Sequence, residues 1–331
     1  MTRRPEFQLI AELFAPLTRG AKGALDLKDD AALITPSPGH ELVVTTDTLI
    51  AGVHFRPNDP PDTIAQKALR VNLSDLAAKG AKPVGIFQAL TLSDATDEQF
   101  LTSYADGLRR DLEHFDIPLL GGDTTSTLPG APMVVTITAF GEVPSGTALL
   151  RSGARAGDLL CASGTIGDAA IGLQLLNGAA WPVSDEHRAM LTGRYHVPQP
   201  RLALGHALRG IATASLDISD GLCADVAHIC ETSRLSAEIQ RRLLPISVAA
   251  QRRLADDPSL QALVLGGGDD YELAFTVPAD ARPRLQALAD ETGTAITVIG
   301  HMTESAGRHN VKVIGDTGQE IAVPSPGYVH R

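Results

Sequence analysis

The sequence is short of cysteine, of basic charge and of long apolar runs. Its three cysteines, Cys161, Cys223 and Cys230, form no Cys-x-x-Cys pair, and an odd number argues against a disulfide framework. They read as reduced core residues of a cytoplasmic protein. Lysine and arginine total 28 against 39 acidic residues, a net charge of −11 without a basic cluster, which argues against a nucleic-acid partner. No segment approaches the roughly 18 unbroken apolar residues of a membrane span. The opening stretch "MTRRPEFQLIAELFAPL" spaces its apolar residues for an amphipathic helix and lacks the continuous run of a signal peptide. Familiar catalytic motifs are missing too. There is no G-x-x-x-x-G-K-[ST], no protein-kinase set, no G-x-S-x-G elbow, no H-E-x-x-H and no G-x-G-x-x-G after a strand.

What is present is a globular composition, 44% apolar and 20% charged, in a chain of 331 residues that is long for one hydrophobic core. Two domains are expected, 1–145 and 146–331, with the boundary in the turn-rich segment "EVPSGTALLRSGARAGD". Runs rich in Val, Ile and Thr alternate with helical patterns. The first half predicts strands at 42–48, 84–92, 117–120 and 132–143 and helices at 62–79 and 97–115, an α/β or α+β arrangement. The second half predicts strands at 158–163, 214–218, 236–240, 271–277, 295–301 and 310–314, with helices between them, so the fold class is α/β (α+β) with an α/β second domain.

Aspartates recur at the ends of these runs: "LKDDAAL", "VVTTDTL", "LLGGDTTST", "SLDISDGL" and "LGGGDDYEL". The glycines of "LLGGDTTST" predict a tight turn that presents Asp123. In the helix 62–79, Ile64, Ala68, Val71 and Asp75 fall on one stripe at about 100° per residue, so Asp75 faces inward, unless it escapes to solvent or pairs with Lys79. An inward carboxylate needs a cation or several donors. Asp30, Asp47, Asp75, Asp123, Asp217 and Asp220 together are hard oxygen donors that select Mg²⁺, Ca²⁺ or Mn²⁺ over zinc, and their spacing is not that of an EF-hand. Mg²⁺ shares its shell with phosphates, which would let an acidic surface bind a nucleotide. "SGTIGD" is open between a phosphate-wrapping turn and a plain one, and Arg151 and Arg155 between phosphate clamps and surface residues. His54 alone reads as a surface or core histidine.

In order along the chain, "DDAAL", "TTDTLIAGVHF", "KALRVNLSDLAAKGAKP", "LLGGDTT", "ALLRSGARAGD", "SGTIGDAAIGL", "LDISDGLCADVAHI" and "GGDDYELAFTVP" resemble the thiamine-monophosphate kinase family of the aminoimidazole ribonucleotide synthetase-like superfamily. The resemblance implies transfer of the γ-phosphoryl of ATP to thiamine monophosphate. It implies Mg²⁺ on Asp30, Thr46, Asp47, Asp75, Asp123, Asp217 and Asp220. It implies ATP contacts from Gly121, Gly122, Arg151 and Ser219, and substrate contacts from His54, Asp269 and Tyr328. It further implies a two-domain fold whose N-terminal domain binds ATP and Mg²⁺ and pairs with a second copy into a β-barrel, giving a homodimer. The chain departs from the family pattern at Asp26 and Lys28, where the family has glycines, at Asp269, where it has glutamate, and at Val329 and Arg331 in the closing motif. Two alternatives follow from the same residues: another ATP-dependent enzyme of the superfamily, or a non-catalytic acidic metal-binding protein. The selenophosphate synthetase and hydrogenase-factor branches fit less well, because no cysteine precedes Cys161 and the sequence closes on His330 and Arg331.

Overall fold

The computed structural model describes residues 5–305, 307, 309–323, 327 and 328. The departures at Val329 and Arg331, and His330 between them, lie outside the described residues. The chain divides into two compact units. One holds the chain up to Leu76 with Ala81–Gly146; the other holds Ala77–Gly80 with the chain from Thr147.

In chain order the helices are α1 (Glu6–Leu9), α2 (Pro61–Ala78), α3 (Glu98–His114), α4 (Asp168–Leu176), α5 (Asp185–His196), α6 (Leu202–Leu208), α7 (Leu222–Ser233), α8 (Val248–Asp256), α9 (Gln261–Gly266) and α10 (Arg284–Thr292). The strands are β1 (His40–Ile50), β2 (Lys82–Leu92), β3 (Leu119–Ser126), β4 (Val134–Pro144), β5 (Leu159–Ser163), β6 (Ala214–Asp217), β7 (Leu235–Gln240), β8 (Leu273–Val277), β9 (Ile296–Glu304), β10 (Val311–Ile314) and β11 (Glu320–Ile321).

The first unit is built on a four-stranded sheet of order β1-β4-β2-β3, antiparallel except for the parallel pair β2 and β3. One face is buried. Along β4 the side chains alternate, and Val135, Ile137 and Ala139 are buried with Leu69 and Leu73 of α2 and Leu101 and Leu108 of α3. Polar ties set the helix positions. The Arg70 guanidinium forms a fork with the buried Asp111 carboxylate, and the Tyr104 hydroxyl donates to Gln88 of β2 at 2.8 Å. At Gly107 an added Cβ would stand 2.2 Å from the Asp62 carbonyl, so only glycine lets α3 approach the start of α2. The opposite face is open among the described residues. Val44 is 55% exposed, Thr46 and Thr48 are exposed, and Phe87 and Phe140 meet edge to face there at 5.6 Å.

Two expectations are corrected. The single amphipathic helix at the amino terminus is instead α1, a wider turn at Ile10–Phe14 and a 3₁₀ turn at Ala15–Thr18, because Pro16 has no N–H to continue an α-helix. The tight turn at "LLGGDTTST" is instead eight residues of edge strand, β3, parallel to β2 with a register shift opposite Ile86 and Phe87. Its glycines serve close approach. A Cβ at Gly121 would lie 2.5 Å from the Phe87 ring and one at Gly122 only 1.9 Å from the Gln88 carbonyl oxygen.

The second unit is a seven-stranded mixed sheet of order β11-β10-β7-β9-β5-β8-β6 covered on both faces. Alternation along β5 sends Leu160 and Ala162 to the face packed by α4, α5, α7, α8 and α9, and Leu159 and Cys161 to the face packed by α6 and α10. The three cysteines are free and buried, and burial pushes each thiol up to about 12, which leaves them unreactive core residues. Among the described residues, no helix is long and apolar enough to cross a membrane.

Candidate functional site

The first unit carries two acidic groups. One surrounds a cleft of about 150 Å³. Its lining brings together Asp29 and Asp30 of the 28–32 segment with Gly121, Gly122, Asp123 and Thr124 of β3, over an apolar floor that includes Phe14 and Phe87. Asp30 and Asp123 are exposed, and Gly121 and Gly122 line the cleft beside Asp123. Beside this cleft the backbone is strained. Leu25, Asp26 and Leu27 take φ of +51°, +56° and +55°, a left-handed run that costs L-residues roughly 1–2 kcal/mol each. Asp26, where the resembled family has glycine, sits in the middle of it, and Lys28 is back at φ −111°.

The other group lies at the far edge of the same sheet. The Asp75 carboxylate accepts a hydrogen bond from the Thr45 hydroxyl of β1, and Asp47 follows two residues later on the same strand face. The stripe expected of α2 holds: Ile64, Ala68 and Val71 are buried, and Asp75 beside them is half-buried and turned toward β1. Thr46 points to the open face, where its hydroxyl meets Thr138 at 3.0 Å and the Ile137 carbonyl at 3.2 Å. His54 stands in the turn after β1, its Nδ1 accepting from the Ile50 N–H at 3.1 Å. Asp47 pairs with Ile137, Ile137 with Gln88, and Gln88 with Gly122, so three strand spacings, about 14 Å, separate Asp47 from the β3 position next to Asp123. One ion cannot bridge these two groups within one sheet.

The second unit gathers five of the expected residues at one sheet edge. Asp217 ends β6, buried, and the loop 218–221 leads into α7. The segment 268–272 runs against that loop. Ile218 N–H donates to the Glu272 carbonyl, Tyr271 N–H to the Ile218 carbonyl and Asp269 N–H to the Ser219 carbonyl, all at 2.8 Å. Asp269 and Tyr271 reach this pairing only through positive φ, +64° and +49°. Tyr328 N–H donates to the Asp220 carbonyl at 2.9 Å, so Ser219, Asp220, Asp269 and Tyr328 meet through the backbone. Arg151 has an exposed side chain, and its carbonyl accepts from Thr232 of α7 at 3.0 Å.

Sequence reasoning did not single out the buried network behind this edge. Glu272, fully buried, accepts from Ser163 at 2.6 Å and pairs with Arg194 and Arg201. Asp270 takes the Gly167 N–H on both oxygens, at 2.8 and 3.0 Å, and burial pushes its carboxyl well above the ordinary range despite that bond. Asp168 accepts from Thr165 and Ser247. The stretch "SGTIGD" is thus occupied by the protein's own carboxylates. Asp225 of α7 accepts from three successive backbone amides, and burial, reinforced by the charge of Asp220, pushes it up to about 7. The helix-start pattern "SDGLCAD", an acid a few residues into a helix after a glycine, is the signal that points to Asp225.

The donors offered at both groups of the first unit are carboxylate and hydroxyl oxygens, which suits Mg²⁺ and not a softer metal. Among the described residues no three His, Cys, Asp or Glu side chains form a ready cage for an ion.

Comparison with known proteins agrees over the length of the chain. The family model for the N-terminal domain of AIR synthase related proteins matches residues 28–143 and that for the C-terminal domain residues 155–312. A thiamine-monophosphate kinase from Caulobacter vibrioides is 43% identical over 306 residues, 91% of this chain and 85% of that protein. The solved thiamine-monophosphate kinase from Stenotrophomonas maltophilia K279a superposes with a TM-score of 0.81 at 39% identity, covering 91% of this chain and 96% of that one. AaThiL, solved in complex with AMPPCP and TMP, gives 0.76 at 28% identity with all of both chains covered.

Proposed function

The chain belongs to the thiamine-monophosphate kinase family, and we propose that it transfers the γ-phosphoryl group of ATP to thiamine monophosphate, giving thiamine diphosphate and ADP. The observation that carries this reading is the cleft where Asp30, Gly121, Gly122 and Asp123 converge. Asp30, Thr46, Asp47, Asp75, Asp123, Asp217 and Asp220 are the residues that would hold Mg²⁺. Bound there, several Mg²⁺ ions would offset the repulsion between two polyanions and hold their oxygens in line. Gly121 and Gly122 allow phosphates close to the backbone, Arg151 and Ser219 contact the nucleotide, and His54, Asp269 and Tyr328 contact the acceptor.

No side chain need act as general base. A phosphate monoester has its second pKa near ~6, so the attacking oxygen is already ionised at neutral pH. His54 accordingly orients substrate, and its Nδ1 is already engaged by the Ile50 N–H.

The active form in this reading is a homodimer in the cytoplasm whose first units pair into a β-barrel. Two observations support the pairing: among the described residues the sheet face that carries exposed Val44 and half-buried Phe87 and Phe140 is not covered by a helix of the unit, and the two acidic groups sit at opposite edges, β1 and β3. Edges joined between two copies would bring Asp47 and Asp75 of one beside Asp30 and Asp123 of the other. Release of ADP from Mg-ATP with thiamine monophosphate, with thiamine and with an aminoimidazole-pathway substrate tests the function. Turnover with thiamine monophosphate alone is expected; turnover only with the aminoimidazole substrate would transfer the chain to the other branch of the superfamily.

A further inference from the structure

The loop between β6 and α7 carries Ser219 and Asp220, and a residue without an assigned role holds its shape. Asp225, in the first turn of α7 and 3% exposed, turns one oxygen, Oδ2, back to accept the N–H groups of Ser219, Asp220 and Gly221, each at 3.0 Å. An ordinary capping side chain satisfies one such donor. Three successive amides converging on one point make a concave anion site, and here the anion is the chain's own. The loop can take this path because Gly221 adopts φ +128°, where a Cβ would meet Gly266 at 2.7 Å.

The consequence is a backbone with little left to offer a ligand. Ser219 gives its N–H to Asp225 and its carbonyl to the Asp269 N–H; Asp220 gives its N–H to Asp225 and its carbonyl to the Tyr328 N–H. Among the described residues, the Ser219 hydroxyl and the Asp220 carboxylate are the groups of these two residues that remain for an external partner. We propose that Asp225 is a positioning residue for the phosphoryl transfer, fixing the loop so that these two side chains alone meet Mg-ATP. The proposal rests on the assignment of Ser219 and Asp220 to Mg-ATP. Segment 268–272 is bonded to the loop and has anchors of its own as well, Asp270 on Gly167 and Glu272 on Ser163, so the contribution of Asp269 to the acceptor is expected to survive the loss of Asp225.

Half-saturation by Mg-ATP and by thiamine monophosphate, measured for Ser219→Ala, Asp220→Asn, Asp225→Ala and Asp225→Asn, tests this. Ser219→Ala and Asp220→Asn are expected to raise the Mg-ATP constant. Asp225→Ala is expected to raise the same constant about tenfold, the size typical for residues that orient ligands to a metal, with the thiamine monophosphate constant nearly unmoved. Asp225→Asn keeps an acceptor oxygen without the charge and is expected to give about a threefold rise in that one constant, and it carries the test if the alanine variant does not fold. Constants that move together in either Asp225 variant, or a Mg-ATP constant that does not move, overturn the proposal. If Ser219→Ala and Asp220→Asn leave Mg-ATP unaffected, the site assignment falls, and the proposal falls with it.

Discussion

Two sets of carboxylates, one in each unit, are set in opposite ways. In the first unit Asp30 and Asp123 are exposed and Asp47 and Asp75 half-buried, at the two edges of a sheet. In the second, Asp168, Asp225, Asp270 and Glu272 are buried, and each accepts hydrogen bonds from amides, hydroxyls or guanidinium groups of the same unit. A buried charge must be matched by the protein itself, so the interior acids shape loops. Acids at an exposed edge stand where a cation brought with substrate can reach them. The contrast separates residues that build the site from residues that use it.

Glu272→Gln is the largest way to sharpen that contrast, because it leaves Arg194 and Arg201 facing a neutral amide. Breaking a buried pair costs about 3–5 kcal/mol, and the lower end applies because the two arginine side chains keep 15% and 20% exposure. Chemical denaturation should report the loss; wild-type stability would place Glu272 among the dispensable acids. Asp270→Asn comes next and reads out in pH. The folded-state pKa of Asp270 is raised above its unfolded value, so the native state holds the extra proton. Its contribution is fully present below the ordinary carboxylate range and is lost as pH rises. Wild-type stability relative to the asparagine variant, which cannot titrate, should therefore decline from about pH 4 upward. A pH-independent difference would contradict this. The smallest effect is expected beside the first unit's cleft, where Asp26→Gly relaxes one left-handed residue. A gain of up to ~1 kcal/mol, seen as a melting temperature a few degrees higher, is the expected result, and a lower one would mean the segment carries no strain there.

Much of this was legible from sequence where the signal is local. Alternation in "VVTTDTL" gave β1, and the 3.6-residue period of α2 put Asp75 on the covered side, where it meets Thr45. What failed was the purpose of Gly121 and Gly122. Two glycines read as a turn, yet the strand continues, and their need is set by Phe87 and Gln88, more than thirty residues earlier. The network of Ser163 with Glu272 joins residues 109 apart and has no local signature. The three strand spacings, about 14 Å, between Asp47 and the β3 position next to Asp123 depend on strand order, which periodicity does not encode.

The most direct measurement is turnover of Mg-ATP with thiamine monophosphate by Asp123→Asn, alongside its melting temperature without ligand. Asp123 is exposed on an edge strand, so its loss should leave the melting temperature unchanged while turnover falls about a hundredfold or more, as expected when a cation worth several kcal/mol is held poorly. Wild-type turnover in that variant would contradict the account, since the edge carboxylates would then not be those that hold the cation.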